Sequence, residues 1–205
     1  MTQQIVVITG TPGVGKTTIS KALANRTKGE HIDISTLVQR EHLVKGRDDA
    51  RDSVIVDITR LANRLQQIIS EQAEFVILDG HCSTEVFTEF DIALVIVVRL
   101  DPDELKTRLH VRGYKEAKIF ENVAAEILDV CLFDALQQFE KELVTEIDAT
   151  NRDVEEIIAI ILKTLDGQIN VRIGQVNWLE KLENEKRLED FFTDINATGD
   201  SGPMY

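Results

Sequence analysis

Five stretches carry the apolar signature of strands, and the segments between them repeat at a helical period. Ile5-Val6-Val7-Ile8-Thr9 is apolar and β-branched throughout, which predicts a buried strand. His31-Ile32-Asp33-Ile34 is short and alternating. Phe75-Val76-Ile77-Leu78-Asp79-Gly80 is a buried strand ending in a carboxylate, and Ile92 to Val98 is the most continuous apolar run in the chain, as a central parallel strand should be. Val144-Thr145-Glu146-Ile147-Asp148 is a weaker fifth strand. Ile19 to Ala24 opens a helix that Gly29 should stop, and Leu37, Val38, His42 and Leu43 mark a crossover helix. Ile58, Leu61, Leu65, Ile68 and Ile69 form one helical stripe; Val154, Ile157, Ile158 and Ile161 form another. Beyond Gly113, the residues Ile119, Val123, Ile127, Leu128, Cys131, Leu132, Leu136 and Phe139 predict one long amphipathic helix.

Local chemistry sharpens some boundaries. Asp101-Pro102-Asp103-Glu104 is a helix start, with Asp101 as N-cap, Pro102 in the first helical position and Glu104 closing a capping box. Residues 46–52 are charged and lack an apolar anchor, so they read as a mobile or substrate-facing loop. Alternating strands and helices predict an α/β fold, a five-stranded parallel sheet flanked by helices over residues 1–166. The switch point of such a sheet puts a ligand at the strand C-termini, beside Gly10, Asp79 and the loop after Leu100. Residues 167–195 form a helical extension in which Trp178, Leu182, Leu188 and Phe192 share a face, either packed on the domain or offering Trp178 to a partner. Residues 196–205 have too little apolar content to fold.

The stretch Gly10-Thr11-Pro12-Gly13-Val14-Gly15-Lys16-Thr17-Thr18, between a strand and a helix, is the context in which G-x-x-x-x-G-K-[ST] cradles phosphate. Lys16 would reach the β- and γ-phosphates and the Thr17 hydroxyl would complete a Mg²⁺ shell, so the chain should bind a nucleotide. Asp79 is placed as the carboxylate that holds the hydration shell of that Mg²⁺ through water, or as a strand-end cap. His81 either orients a water, senses the γ-phosphate, or is structural. Arg108 and Arg112, one helical turn apart and followed by Lys115 and Lys118, complement a helix dipole or form a lid that neutralises phosphoryl charge. Arg40 and Arg51 are acceptor-side candidates or solvated charges. Asn151-Arg152-Asp153 lacks the spacing of the guanine-reading N-K-x-D.

Thirty-six acidic against 23 basic side chains leave a formal charge of −13, which disfavours a nonspecific grip on nucleic acid and suits a basic protein partner as well as plain solubility. No apolar run approaches the roughly 20 residues of a membrane span. Cys82 and Cys131 form no CxxC and read as reduced thiols, and the first strand starts almost at Met1; the expectation is a cytoplasmic protein.

The P-loop resembles that of the adenylate kinases, with Thr17-Thr18 after the lysine where their usual loop has Gly then Thr. Together with Asp79-Gly80-His81, the short segment from Arg108 to Asn122 and Glu126-Ile127-Leu128, it looks like the adenylate kinase isoenzyme 6 branch, over about residues 5–161. That branch joins an atypical adenylate kinase and ATPase to small ribosomal subunit maturation. The resemblance implies that Gly13, Gly15, Lys16, Thr17 and Thr18 bind ATP, that Asp79 and His81 form a D-x-H motif, and that Arg112 closes a lid spanning about 108–122. It further implies an AMP-binding region at about 33–57, with Asp33 and with Arg40 or Arg51 standing in where Gln39 replaces an arginine of some members. Arg108 also falls on the ATP side, and Thr150-Asn151-Arg152 matches the adenine-side loop. The leading expectation is a Mg²⁺-dependent enzyme moving phosphate from ATP to AMP, and also to water. An ATP-state switch that binds a basic small-subunit ribosomal protein and a kinase of another small metabolite are the alternatives.

Overall fold

In the computed structural model, which describes residues 3–48, 53–70, 74–80, 84–87, 90–170 and 173–192, the chain passes from β1 (Gln4–Thr9) through the glycine loop into α1 (Lys16–Thr27). It then forms β2 (Glu30–Asp33), α2 (Ile34–Arg40), a hairpin of β3 (Val44–Asp48) and β4 (Ser53–Val56), α3 (Ile58–Ser70) and β5 (Phe75–Asp79). After β6 (Ile92–Arg99) come α4 (Pro102–Val111), α5 (Glu116–Ile127), α6 (Val130–Gln138), β7 (Val144–Asp148) and α7 (Val154–Leu165), and then α8 (Trp178–Asn184) and α9 (Glu189–Phe192). The five expected strands pair in the order β2-β5-β1-β6-β7, every neighbour parallel.

Alternation along the central strands divides the core in two. Val6, Ile8, Ile96 and Val98 face a cluster completed by α1, α4, α5, α7 and the extension, whereas Ile5, Val7, Val95 and Val97 face one completed by α2, α3 and α6. Each such side chain contributes about 1.5–3 kcal/mol of burial, so a one-residue slip of β1 would misplace every one of them at once.

This two-sidedness explains the main departure from expectation. The single long helix after Gly113 is two helices, broken at Asp129, whose φ of 57° is left-handed. Ile119, Val123 and Ile127 belong to the first cluster, and Cys131, Leu132 and Ala135 to the second. No straight helix can serve both faces of a sheet, so the stripe changes partner and the helix breaks. The crossover helix expected through Leu43 ends at Arg40, because Leu43 turns into the core and Val44 begins β3. The charged stretch 46–52 is in part that hairpin, with Gly46, Arg47 and Asp48 opposite Ile55, Val54 and Ser53; residues 49–52 lie outside the described residues.

Helix ends show smaller corrections. The left-handed residue that stops α1 is Lys28, at φ 54°; Gly29 is required instead by close approach, since a Cβ there would meet the Phe75 carbonyl oxygen at 2.6 Å. Asp101 caps α4 and Pro102 follows as expected, but the capping box is half made. The Asp101 N–H donates to Thr150 Oγ1 at 2.9 Å, and the Glu104 carboxylate accepts from Arg108 instead. The extension packs on the domain as two short helices rather than one. Among the described residues no helix is long and apolar enough to cross a membrane. The tail expected at 196–205, and Cys82, lie outside the described residues.

Candidate functional site

The site is built on the C-terminal ends of β1 and β5, adjacent strands in which Ile8 pairs with Asp79. The chain leaves β1 through a loop whose Gly10, Gly13 and Gly15 all have positive φ. Gly13 shows why the pattern demands glycine: besides its φ of 105°, a Cβ there would meet Leu105 and Leu109 of α4 at 2.8 and 2.9 Å. Helix α4 thus lies directly on the loop. Gly15 caps α1, accepting from the N–H groups of Thr18 and Ile19 at 3.1 Å, and leaves Thr17 and Thr18 exposed on the first turn.

Lys16 folds back along the loop, its Nζ donating to the carbonyl oxygens of Gly10 at 2.7 Å and Thr11 at 3.1 Å. Burial holds its ammonium below the usual lysine range, against the opposing pull of Asp79, Cys131 and Glu126 and with the help of the nearby Arg112. Arg108 reaches over from α4, donating from Nη1 to the Val14 carbonyl at 3.2 Å and from Nη2 to Glu104 Oε1 at 2.6 Å. Arg112 is the exposed C-cap of the same helix. Three cations therefore gather at one phosphate-sized loop in a strongly acidic chain.

Asp79 ends β5 with 2% of its surface exposed, and its Oδ2 lies 3.3 Å from His31 Nε2. One hydroxyl at Thr17 and one carboxylate at Asp79 are hard oxygen donors, few in number. That set fits Mg²⁺, which keeps much of its water and takes its remaining ligands from phosphate, better than an ion needing a full protein cage. Among the described residues no group of three or more His, Cys, Asp or Glu forms such a cage.

The structure brings Gly13, Gly15, Lys16, Thr17, Thr18, Asp79, Arg108 and Arg112 to the same end of the sheet. Asp33 ends β2 in register with Asp79, at the same end of the sheet, where its Oδ1 accepts the Thr36 N–H at 2.9 Å as the cap of α2; the exposed Arg40 at the far end of α2 pairs with Glu41 at 3.1 Å. Arg152 is exposed in the turn after β7, next to Asn151 at φ 55°. Arg51 and His81 lie outside the described residues. Two contacts of the site escaped the sequence reading. His31 carried no signal beyond lying in a short strand, because only the sheet order sets it beside Asp79. Thr11, fully buried, donates to Glu126 Oε2 at 2.5 Å across 115 residues of sequence.

Comparison with known proteins bears on what such a site belongs to. Residues 6–129 match the family model described as an AAA domain. A protein of Methanocaldococcus jannaschii named "Putative adenylate kinase" is 42% identical over 184 residues, covering 90% of this chain and 98% of its own. The chain belongs to this adenylate kinase family. A relative of the same name from Thermococcus onnurineus is 37% identical over 180 residues, covering 87% of this chain and 93% of its own. Among solved structures, the tunicamycin resistance protein of Deinococcus radiodurans (TM-score 0.56, 18% identical) covers 82% of this chain and 96% of its own. Shikimate kinase of Bacteroides thetaiotaomicron (TM-score 0.52, 18% identical) covers 80% and 98%. At that identity they share the fold alone, a P-loop kinase fold.

Proposed function

We propose that this protein is a Mg²⁺-dependent adenylate kinase that transfers the γ-phosphate of ATP to AMP, giving two ADP. The observation that carries the reading is the convergence of Lys16, Arg108 and Arg112 on a glycine loop whose neighbouring strand ends in Asp79. The acceptor is an AMP phosphate oxygen, already nucleophilic, so its bond to the γ-phosphorus forms as the bond to the β-bridging oxygen breaks, without a strong base. The protein contributes position and positive charge. Mg²⁺, held by Thr17 and through water by Asp79, would neutralise the triphosphate. Lys16 exchanges the carbonyls of Gly10 and Thr11 for phosphate oxygens, a charged acceptor in place of two neutral ones. Arg108 and Arg112 then close on the phosphates from a lid of about 108–122. Asp33, with Arg40 or Arg51, serves AMP in the region 33–57 that includes the β3–β4 hairpin, and Arg152 lies on the adenine side.

The same site can hand phosphate to water, with His81 of the D-x-H motif orienting it. This ATPase activity, and a cytoplasmic role in small ribosomal subunit maturation, are supported by the resemblance to the isoenzyme 6 branch. The charge of −13 favours a second reading, in which ATP state switches the binding of a basic small-subunit ribosomal protein. ADP formation from Mg-ATP, followed with and without AMP, separates the two. AMP-dependent ADP formation with AMP consumed in step supports the kinase. Hydrolysis that AMP leaves unchanged and a basic protein accelerates supports the switch.

A further inference from the structure

Three parts of the chain that are remote in sequence meet at one buried carboxylate. Glu126, near the end of α5, is 1% exposed, and its oxygens accept from four donors. Oε1 takes Arg99 Nε at 2.8 Å, the Leu100 N–H at 3.1 Å and Trp178 Nε1 at 3.2 Å; Oε2 takes Thr11 Oγ1 at 2.5 Å. Arg99, equally buried at the end of β6, also donates to the Glu126 carbonyl at 2.8 Å, to Asp129 and to Glu146. The other oxygen of Glu146 receives three successive N–H groups, from Gly174 at 2.9 Å, Gln175 at 3.2 Å and Val176 at 3.4 Å.

Three carboxylates around one guanidinium leave negative charge in excess, and the neutral donors from the P-loop and from residues 174–178 compensate it. Burial disfavours the charged guanidinium, but Glu126 and Asp129 more than offset this and raise the Arg99 pKa above its ordinary value. Such a network is a costly way to gain stability, since apolar side chains of similar volume do as well or better. Its distinctive product is fixed geometry. One fixed group is Thr11, whose carbonyl accepts from Lys16. The other is the start of the extension, which Trp178, Lys181 paired to Asp101 and Arg187 paired to Asp103 hold against the N-terminus of α4.

We propose that Glu126 is a positioning residue for the ATP site, acting through Thr11, and that Trp178 ties the C-terminal extension to it. The extension thereby sets the P-loop's readiness for ATP and registers its occupancy. This rests on the P-loop being an ATP site. By linkage the coupling is reciprocal: what Trp178 does to ATP binding, ATP does to Trp178. Trp178 is the one tryptophan of the chain, so its emission reads that state directly.

Substitutions at the rim of the network test this without stranding a buried charge at its centre. Thr11→Val removes the hydroxyl, Trp178→Phe removes the indole N–H, and both are combined. Mg-ATP affinity is measured by calorimetry, tryptophan emission on adding Mg-ATP is followed in the wild type and Thr11→Val, and thermal midpoints are recorded in parallel. The expected results are a loss of Mg-ATP affinity of about fivefold in each single variant, no further loss in the double variant, and an emission change that Thr11→Val abolishes. The AMP KM stays as in the wild type. If Trp178→Phe lowers only the thermal midpoint and binds Mg-ATP normally, or if the two losses multiply independently, the network is purely structural and the inference fails. A wild type that does not bind Mg-ATP fails earlier, and overturns the nucleotide reading with it.

Discussion

Lys16 is the residue on which the site turns, and its present geometry makes two predictions. Its Nζ is bonded to Gly10 and Thr11, so Lys16→Ala removes both a loop clamp and the phosphate ligand; Mg-ATP binding and turnover should both be lost, which calorimetry and an ADP assay check. The second concerns protons. Burial depresses the Lys16 pKa in the free protein, and bound phosphate favours the ammonium and raises it. A group whose pKa rises on binding takes up a proton, and the uptake grows as pH climbs from the depressed value toward the ordinary lysine range. Calorimetry in buffers of different ionisation enthalpy should therefore find proton uptake on Mg-ATP binding that grows as pH rises toward the ordinary lysine range, and uptake that stays flat with pH would contradict it. At Asp79, replacement by Ala leaves His31 without its carboxylate partner and, on the proposed reading, would remove the water-mediated anchor of Mg²⁺. Mg²⁺-dependent turnover should fall by about 10²-fold or more while the fold persists, as circular dichroism and a Mg²⁺ titration would show.

Strands and helices differ in how far the chain announces them. The three central strands β1, β5 and β6 were legible because a strand buried on both faces leaves a continuous apolar run, whereas the edge strands β2 and β7, short and interrupted by polar residues, were read from alternation and from the helices around them. The phosphate loop was legible for a different reason: glycine spacing encodes backbone geometry directly. The break at Asp129 was not, since the apolar stripe continues through it and only the three-dimensional sheet reveals that its two halves serve opposite faces. The β3 half of the hairpin was hidden by charge, while β4, the apolar run Val54-Ile55-Val56, was a signal the sequence offered; the Arg99–Glu126–Glu146 network was hidden by sequence distance, with an arginine closing the apolar run of β6 as its one available signal. The docking of the C-terminal extension divides in the same way between buried and exposed contacts. Leu182 is 1% exposed in the core shared with α4 and α5, so Leu182→Ala should cost about 2–5 kcal/mol. Arg187→Ala breaks exposed ion pairs to Asp103, Glu185 and Asp190 and should leave the urea midpoint close to that of the wild type.

Over the whole molecule, a field of −13 surrounds a site that must admit polyanionic nucleotides. Lys16, Arg108 and Arg112 supply the local exception, and on the proposed reading Mg²⁺ would lower the charge of the incoming triphosphate. The charge disfavours a nonspecific grip on nucleic acid; on the proposed switch reading, binding of a basic ribosomal protein should weaken steeply as salt rises, whereas Mg-ATP binding inside the loop should change little. The fate of the γ-phosphate decides between a kinase and a hydrolase. Incubation with Mg-ATP labelled in that phosphate, in the presence of unlabelled AMP, should carry the label into ADP at a rate that rises and saturates with AMP. Label appearing only as inorganic phosphate, at a rate indifferent to AMP, would contradict the kinase reading.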